Sequence, residues 1–121
     1  MMNRSDSLFD TREMRKHLLI ECSDDYLGLW SIIWLIRRKL KNANSDQVRR
    51  ETLGIIRTLL DDGLIQAGFP TPAGGFEPWS LSPAETIRRI ELEWDLLGRE
   101  PNIGDIAWFT AADKGQEKFQ L

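Results

Sequence analysis

The reactive side chains of this sequence are few. His17 is the only histidine and Cys22 the only cysteine, and the one catalytic pairing they could make is a thiol nucleophile with an adjacent base. They lie five positions apart in TREMRKHLLIEC, and five residues of helix turn two side chains apart by about 140° at 100° per residue. No dyad is expected: His17 reads as a solvated helix residue and Cys22 as buried or half-buried. A single cysteine also excludes an intrachain disulfide and a thiolate zinc cluster. Asp24 with Asp25, and Asp61 with Asp62, are adjacent pairs, but neither has the spacing of a calcium loop, and there is no His-x-x-x-His. GFPTPAGG lacks both the Lys-Ser/Thr ending of a phosphate loop and GxGxxG spacing. No enzymatic activity, metal or cofactor is expected.

Binding chemistry is better represented. Arg37, Arg38, Lys39, Lys41, Arg49 and Arg50 are opposed only by Asp46 between positions 37 and 50. Arg37, Arg38, Lys41, Gln47, Arg49 and Arg50 are therefore candidate nucleic-acid contacts, the cations suited to phosphates. The same cations also fit a helix C-terminus and pairing with nearby acids. Net charge weighs against DNA: 19 acidic residues outnumber 16 basic ones, giving −3, whereas a DNA-binding domain usually carries a basic excess. Asp61 and Asp62 close a predicted helix, where exposed negative charge is disfavoured by about 0.3–1 kcal/mol each, and so mark a candidate acidic contact surface. Phe76 and Trp79, around Glu77 and Pro78 at the end of GLIQAGFPTPAGGFEPW, are candidate aromatic anchors for a protein partner or a staple on the helix that follows. Most of the other tryptophans are expected in the core.

The elements that position these residues follow from periodicity and punctuation. Met14, Leu18 and Cys22 recur every four residues in a first helix. Ser23, Asp24 and Asp25 offer caps for a second helix, YLGLWSIIWLIRRKLK, with Leu29, Trp30, Ile33, Ile36 and Leu40 on one face and Ile32 and Leu35 widening it. Asn44 followed by Gln47 fits a capping box at the start of a third helix carrying Val48, Thr52, Ile55, Ile56 and Leu59. Gly63 is its expected left-handed terminator. Leu64 to Phe69 reads as a strand ended by Pro70. Pro70 to Gly75 is expected to turn the chain out, with Phe76 to Trp79 leading into a helix and not forming a second hairpin arm. That helix is the clearest: Ser82 caps, Pro83 takes the first position, Glu85 completes a capping box, Gly98 ends it, and Ile87, Ile90, Trp94 and Leu97 line one stripe. Glu85 to Arg89 and Arg89 to Glu93 are expected pairs. After a GREPNIG loop, DIAWFT is a second strand, and Thr110 is placed to cap a short closing helix, AADKGQEKF.

Fold class is therefore mainly α with a small antiparallel β-ribbon, an α+β arrangement. At 121 residues the chain is expected to hold one domain over residues 10–121 after a flexible start at 1–9. The polar N-terminus has no signal-peptide h-region and no apolar run is long enough to span a bilayer, which with the single cysteine implies a cytoplasmic protein with no membrane partner.

TLGIIRTLLDDGLIQAG resembles the long helix, turn and first wing strand of bacterial winged-helix domains, and IAWFTAADKGQEKF resembles their second strand followed by a Thr-x-x-x-x-Gly helical start. The likeness covers about half of the chain. It implies a modified winged helix in which Pro83 to Leu97 is inserted between the two wing strands, with only NANSDQV between two long helices. PWSLSP and GREPNIGDIAWFT are also similar to uncharacterised bacterial proteins. Two functions are consistent with these features. The first is non-catalytic protein binding, concretely an immunity protein or antitoxin whose acidic side chains neutralise a basic toxin. The alternative, implied by the resemblance, is a winged-helix transcription regulator bound to DNA.

Overall fold

The computed structural model describes residues 11–113. The start expected at 1–9 and most of the closing helix expected at 111–119 lie outside them. Four helices, α1 (Thr11–Asp24), α2 (Leu29–Lys39), α3 (Ser45–Asp61) and α4 (Pro83–Leu97), combine with four strands, β1 (Leu27–Gly28), β2 (Ile65–Pro70), β3 (Phe76–Pro78) and β4 (Trp108–Ala111). The strands form one antiparallel sheet in the order β1-β4-β2-β3. The α+β class holds, and the two strands expected from sequence, β2 and β4, are paired with α4 lying between them in the chain.

Apolar periodicity becomes a core directly. Met14, Leu18, Leu19 and Cys22 of α1, Leu29, Ile32, Ile33 and Ile36 of α2, and Val48, Ile55, Ile56 and Leu59 of α3 join Ile90 and Trp94 of α4 in one buried cluster. The sheet closes it. Register places Ile65 opposite Ala111 and Ala67 opposite Phe109, so the inward residues of two adjacent strands meet on the same face, as the two-residue repeat of a strand requires. Trp30 is buried and meets Trp108 edge-on, with ring centroids 4.6 Å apart. Trp34 does not join the core and is 46% exposed.

Three local expectations are corrected. The second helix starts at Leu29, not near Tyr26, because Leu27 and Gly28 are taken up by pairing with Phe109 and Trp108. Ser23, Asp24 and Asp25 consequently do not cap it: α1 runs through to Asp24, the Gly28 cap has no side-chain hydrogen bond, and the Leu29 N–H donates to the Ala107 carbonyl at 3.0 Å. The neighbouring chain thus satisfies a helix-start donor that a side chain would otherwise satisfy. Thr110 lies within β4 and not at a helix start, since it pairs with Gln66.

The largest correction concerns Phe76. Phe76 to Pro78 is the second arm of a hairpin on β2, with Pro70 opposite Phe76 and Gly68 opposite Pro78. Thr71 closes the turn that its prolines and glycines were expected to open outward. Its N–H donates to the Gly75 carbonyl at 2.9 Å, its carbonyl accepts from Gly74 at 3.0 Å, and its hydroxyl accepts from Gly75 at 2.9 Å. Gly74 supplies the positive φ of +89° the turn demands. Gly68 lets the two arms meet: a Cβ there would run into the Glu77 carbonyl oxygen.

The remaining termini follow the sequence. Asn44 caps α3 by one bond, its side chain accepting from the Gln47 N–H at 2.8 Å without the reciprocal Gln47 bond of the expected capping box, and Gly63 follows with φ +71°. At α4 the Ser82 hydroxyl accepts from the Glu85 N–H at 3.1 Å while the Glu85 carboxylate accepts from the Ser82 N–H at 3.0 Å, and Gly98 ends the helix at φ +72°. The Ser82 N–H bond to the carboxylate, with the Ser82 side chain second, holds the Glu85 carboxyl below its ordinary pKa. These contacts also occupy Glu85, and Arg89 pairs with Glu93 at 2.7 Å.

Candidate functional site

Both reactive groups sit on α1 and do not meet. His17 is exposed, whereas Cys22 is 3% exposed and its thiol is pushed up to about 12 by burial, with the Glu21 charge adding to the shift. At neutral pH it is a thiol, and a thiol is a poor nucleophile. His17 instead borders an open groove of about 350 Å³ between α1 and α2, where Glu21, Ser31, Trp34 and Arg38 also line the wall. Among the described residues no three His, Cys, Asp or Glu side chains converge in metal-binding geometry.

The acidic pair at the end of α3 is internally balanced. Asp61 accepts from Arg57 one turn earlier at 2.9 Å, and Asp62 is paired with Arg15 of α1. Local cations thus offset the unfavourable charge at that helix end, and Asp62 helps join α1 to α3. Both pairs are partly exposed and individually weak.

The candidate cations divide into two groups. Arg37 is held by Glu100, with contacts of 2.6 and 3.0 Å, and this hydrogen bonding raises its pKa further. Arg49 donates to Asp95 at 2.8 Å and lies over the Trp94 ring, 5.1 Å from its centroid. These two arginines tie α2 and α3 to α4 and the loop after it. Arg38, Lys39, Lys41 and Arg50 are exposed and have no ion-pair partner among the described residues. In the chain they flank the α2–α3 turn. Gln47 is half-buried one turn before Arg50, and the outer face of α3 runs on through an exposed Gly54.

The two candidate aromatics are half-buried and already engaged. Phe76 packs on Tyr26 with centroids 5.1 Å apart, and the Tyr26 hydroxyl donates to the Gly74 carbonyl at 3.1 Å. Trp79 packs against the core beside Phe69, while the Arg89 guanidinium lies 3.8 Å from the Trp79 ring centroid. The pair holds the hairpin to β1 on one side and to α4 on the other.

The most exposed large apolar residues lie elsewhere. Leu92 and Leu96 of α4 are 56% and 86% exposed. Relative to buried Ile90 they lie at about 200° and 240° around the helix, on the side away from the core. Leu81, just before α4, and Phe69 of the hairpin are each 40% exposed, and Ile103 beyond it is 70% exposed. Leu81, Glu85, Arg88, Arg89 and Leu92 line an open groove of about 330 Å³ along this face. Sequence reasoning passed over it because Ile87, Ile90, Trp94 and Leu97 satisfy the amphipathic pattern alone. The available signal was that Leu92 and Leu96 fall outside that stripe, on the polar side of the same helix.

The loop after α4 is pinned from both ends. Asp105 accepts from the Asn102 N–H at 2.8 Å and from Arg99 at 2.9 Å, and these bonds lower its pKa. Ile106, at φ +70°, then directs the chain into β4. No protein-family model, curated protein or solved structure was found to match the chain. Among the described residues no helix is long and apolar enough to cross a membrane.

Proposed function

We propose that this chain is a non-catalytic protein-binding module whose main contact surface is the outer face of α4. The observation that carries this reading is the placement of Leu92 and Leu96 opposite the buried stripe of their own helix. A lone exposed leucine needs no explanation. Two of them one turn apart, with Leu81 at the same end of the groove as Glu85, form an apolar strip rimmed by charge, which is the composition of a contact site. α4 is also a rigid platform, capped at both ends, so binding does not require the helix to be ordered first. Covering one leucine fully is worth roughly 1.5–3 kcal/mol in transfer terms.

An inhibitor of a basic toxin, of the immunity or antitoxin kind, is the narrower version of this role. Its support is the net charge of −3 and the exposed Glu91 on the flank of α4; Asp95 beside it is already bonded to Arg49. Asp61 and Asp62 contribute less, being paired already. Native co-purification of the tagged chain, run beside a Leu92→Glu, Leu96→Glu variant, tests the role. The wild type is expected to emerge in a complex that the variant does not form, and a basic protein in that complex would support the narrower version. A chain that emerges alone and monomeric removes the support for the role.

Binding to DNA in the manner of a winged helix is the second reading. It is favoured by the unpaired Arg38, Lys39, Lys41 and Arg50 flanking the α2–α3 turn in the chain, and by a short strand between the first two helices that joins the paired β2 and β4. Arg38→Ala with Arg50→Ala should then weaken salt-sensitive retention on DNA and reduce the salt slope by about 1 per lost phosphate contact. No retention of the wild type at low salt would refute it.

A further inference from the structure

We infer that the partner of the α4 face is a second copy of this chain, packed antiparallel through α4 about a two-fold axis near Leu92; the inference rests on the protein-binding reading and names its occupant. The charge order along the helix selects this arrangement. On the exposed side, the N-terminal half carries Arg88, which has no ion-pair partner among the described residues. The C-terminal half carries Asp95, which stays 64% exposed despite its contact with Arg49.

A parallel pair would set Arg88 against Arg88 and Asp95 against Asp95. An antiparallel pair centred on Leu92 sets Leu92 against Leu92 and brings Arg88 of each copy to Asp95 and Leu96 of the other. Opposite charges then meet twice by symmetry, and the methylene stem of Arg88 covers the most exposed leucine of the helix. Antiparallel helices also place opposite macrodipole ends together. Such a self-complementary patch is what an isologous two-fold interface requires.

Sedimentation equilibrium on the purified full chain tests this. The wild type is expected to approach twice its 14.0 kDa mass as concentration rises. Leu92→Glu with Leu96→Glu should sediment as the single chain while keeping its helical circular dichroism. Arg88→Asp should raise the dimer dissociation constant by about tenfold, and adding Asp95→Arg in the same chain should restore it, which a merely structural role for either residue would not do. Leu92→Cys should form an interchain disulfide under oxidation, whereas Asp46→Cys on α3 should not. A wild-type monomer at every concentration overturns the inference, as does a dimer indifferent to the leucine replacements. If the monomer captures another protein through Leu92 and Leu96, only the second copy is refuted. If it captures nothing, the protein-binding reading falls as well.

Discussion

Gly54→Ala should stabilise this protein, and the size of the gain can be worked out from its surroundings. Gly54 lies in the middle of α3, exposed, and beyond the helix's own nearby backbone and the two adjoining residues no heavy atom stands within 4 Å of the point where a Cβ would sit. An alanine there meets no clash, so the full helix-propensity difference of about 1 kcal/mol applies, part of it from the smaller conformational freedom of the unfolded chain. For a domain of this length that is about 3–5 °C in Tm, or roughly half a molar in the urea midpoint with m unchanged. Urea titration followed by circular dichroism measures it. A midpoint that stays put or falls would refute the reasoning, since it would mean that the site is not open helix. The functional corollary is specific to the DNA reading: Gly54 is one turn from Arg50 on the outer face of α3, and a phosphate backbone seated there would be pushed away by the new methyl. DNA affinity should then drop although stability rises.

Further expectations follow from single buried or bonded groups. Thr52 is fully buried with a hydroxyl that finds no hydrogen-bond partner, so Thr52→Val should leave the fold intact and stabilise it by about 1 kcal/mol, read as a higher urea midpoint; a loss of that size would show the hydroxyl to be partnered. Cys22 should resist a thiol reagent at pH 8 in the native state and react promptly in urea, because burial both hides it and raises its pKa to about 12; rapid native labelling would contradict its packing. Glu85 and Asp105 both have lowered folded-state pKa values, so their contribution to stability is complete above their unfolded values of about 4.3 and 3.9 and is lost as pH falls through the lower folded values. Asp105→Asn should flatten the acid limb of a Tm-versus-pH curve, and an unchanged limb would show that the loop bonds do not persist in solution.

Much of the helical framework was legible in local signals. Ser82, Pro83, Glu85 and Gly98 delimit α4, and Asn44 and Gly63 delimit α3, because capping satisfies backbone groups with neighbours only a few residues away. The apolar stripe of α2 identified the core residues for the same reason: the periodicity belongs to the helix itself. Sheet partners were less accessible. β1 exists because Leu27 and Gly28 find Phe109 and Trp108 some eighty positions later, and β3 exists because Thr71 folds a proline- and glycine-rich run back on β2.

Function divides along the same line. The residue types alone indicated that a His17–Cys22 dyad would not form, since helix rotation separates two side chains five apart whatever the fold. Which charges are free was decided by tertiary structure. Arg37 and Arg49 find Glu100 and Asp95 far along the chain, and Arg15 finds Asp62, while Arg38 and Arg50 stay unpaired among the described residues. The sequence determines the amphipathic order of each helix because a repeat of 3.6 residues is a local property. Only packing decides which face is covered, and it left Leu92 and Leu96 in solvent because the buried stripe of α4 already met the core on its other side.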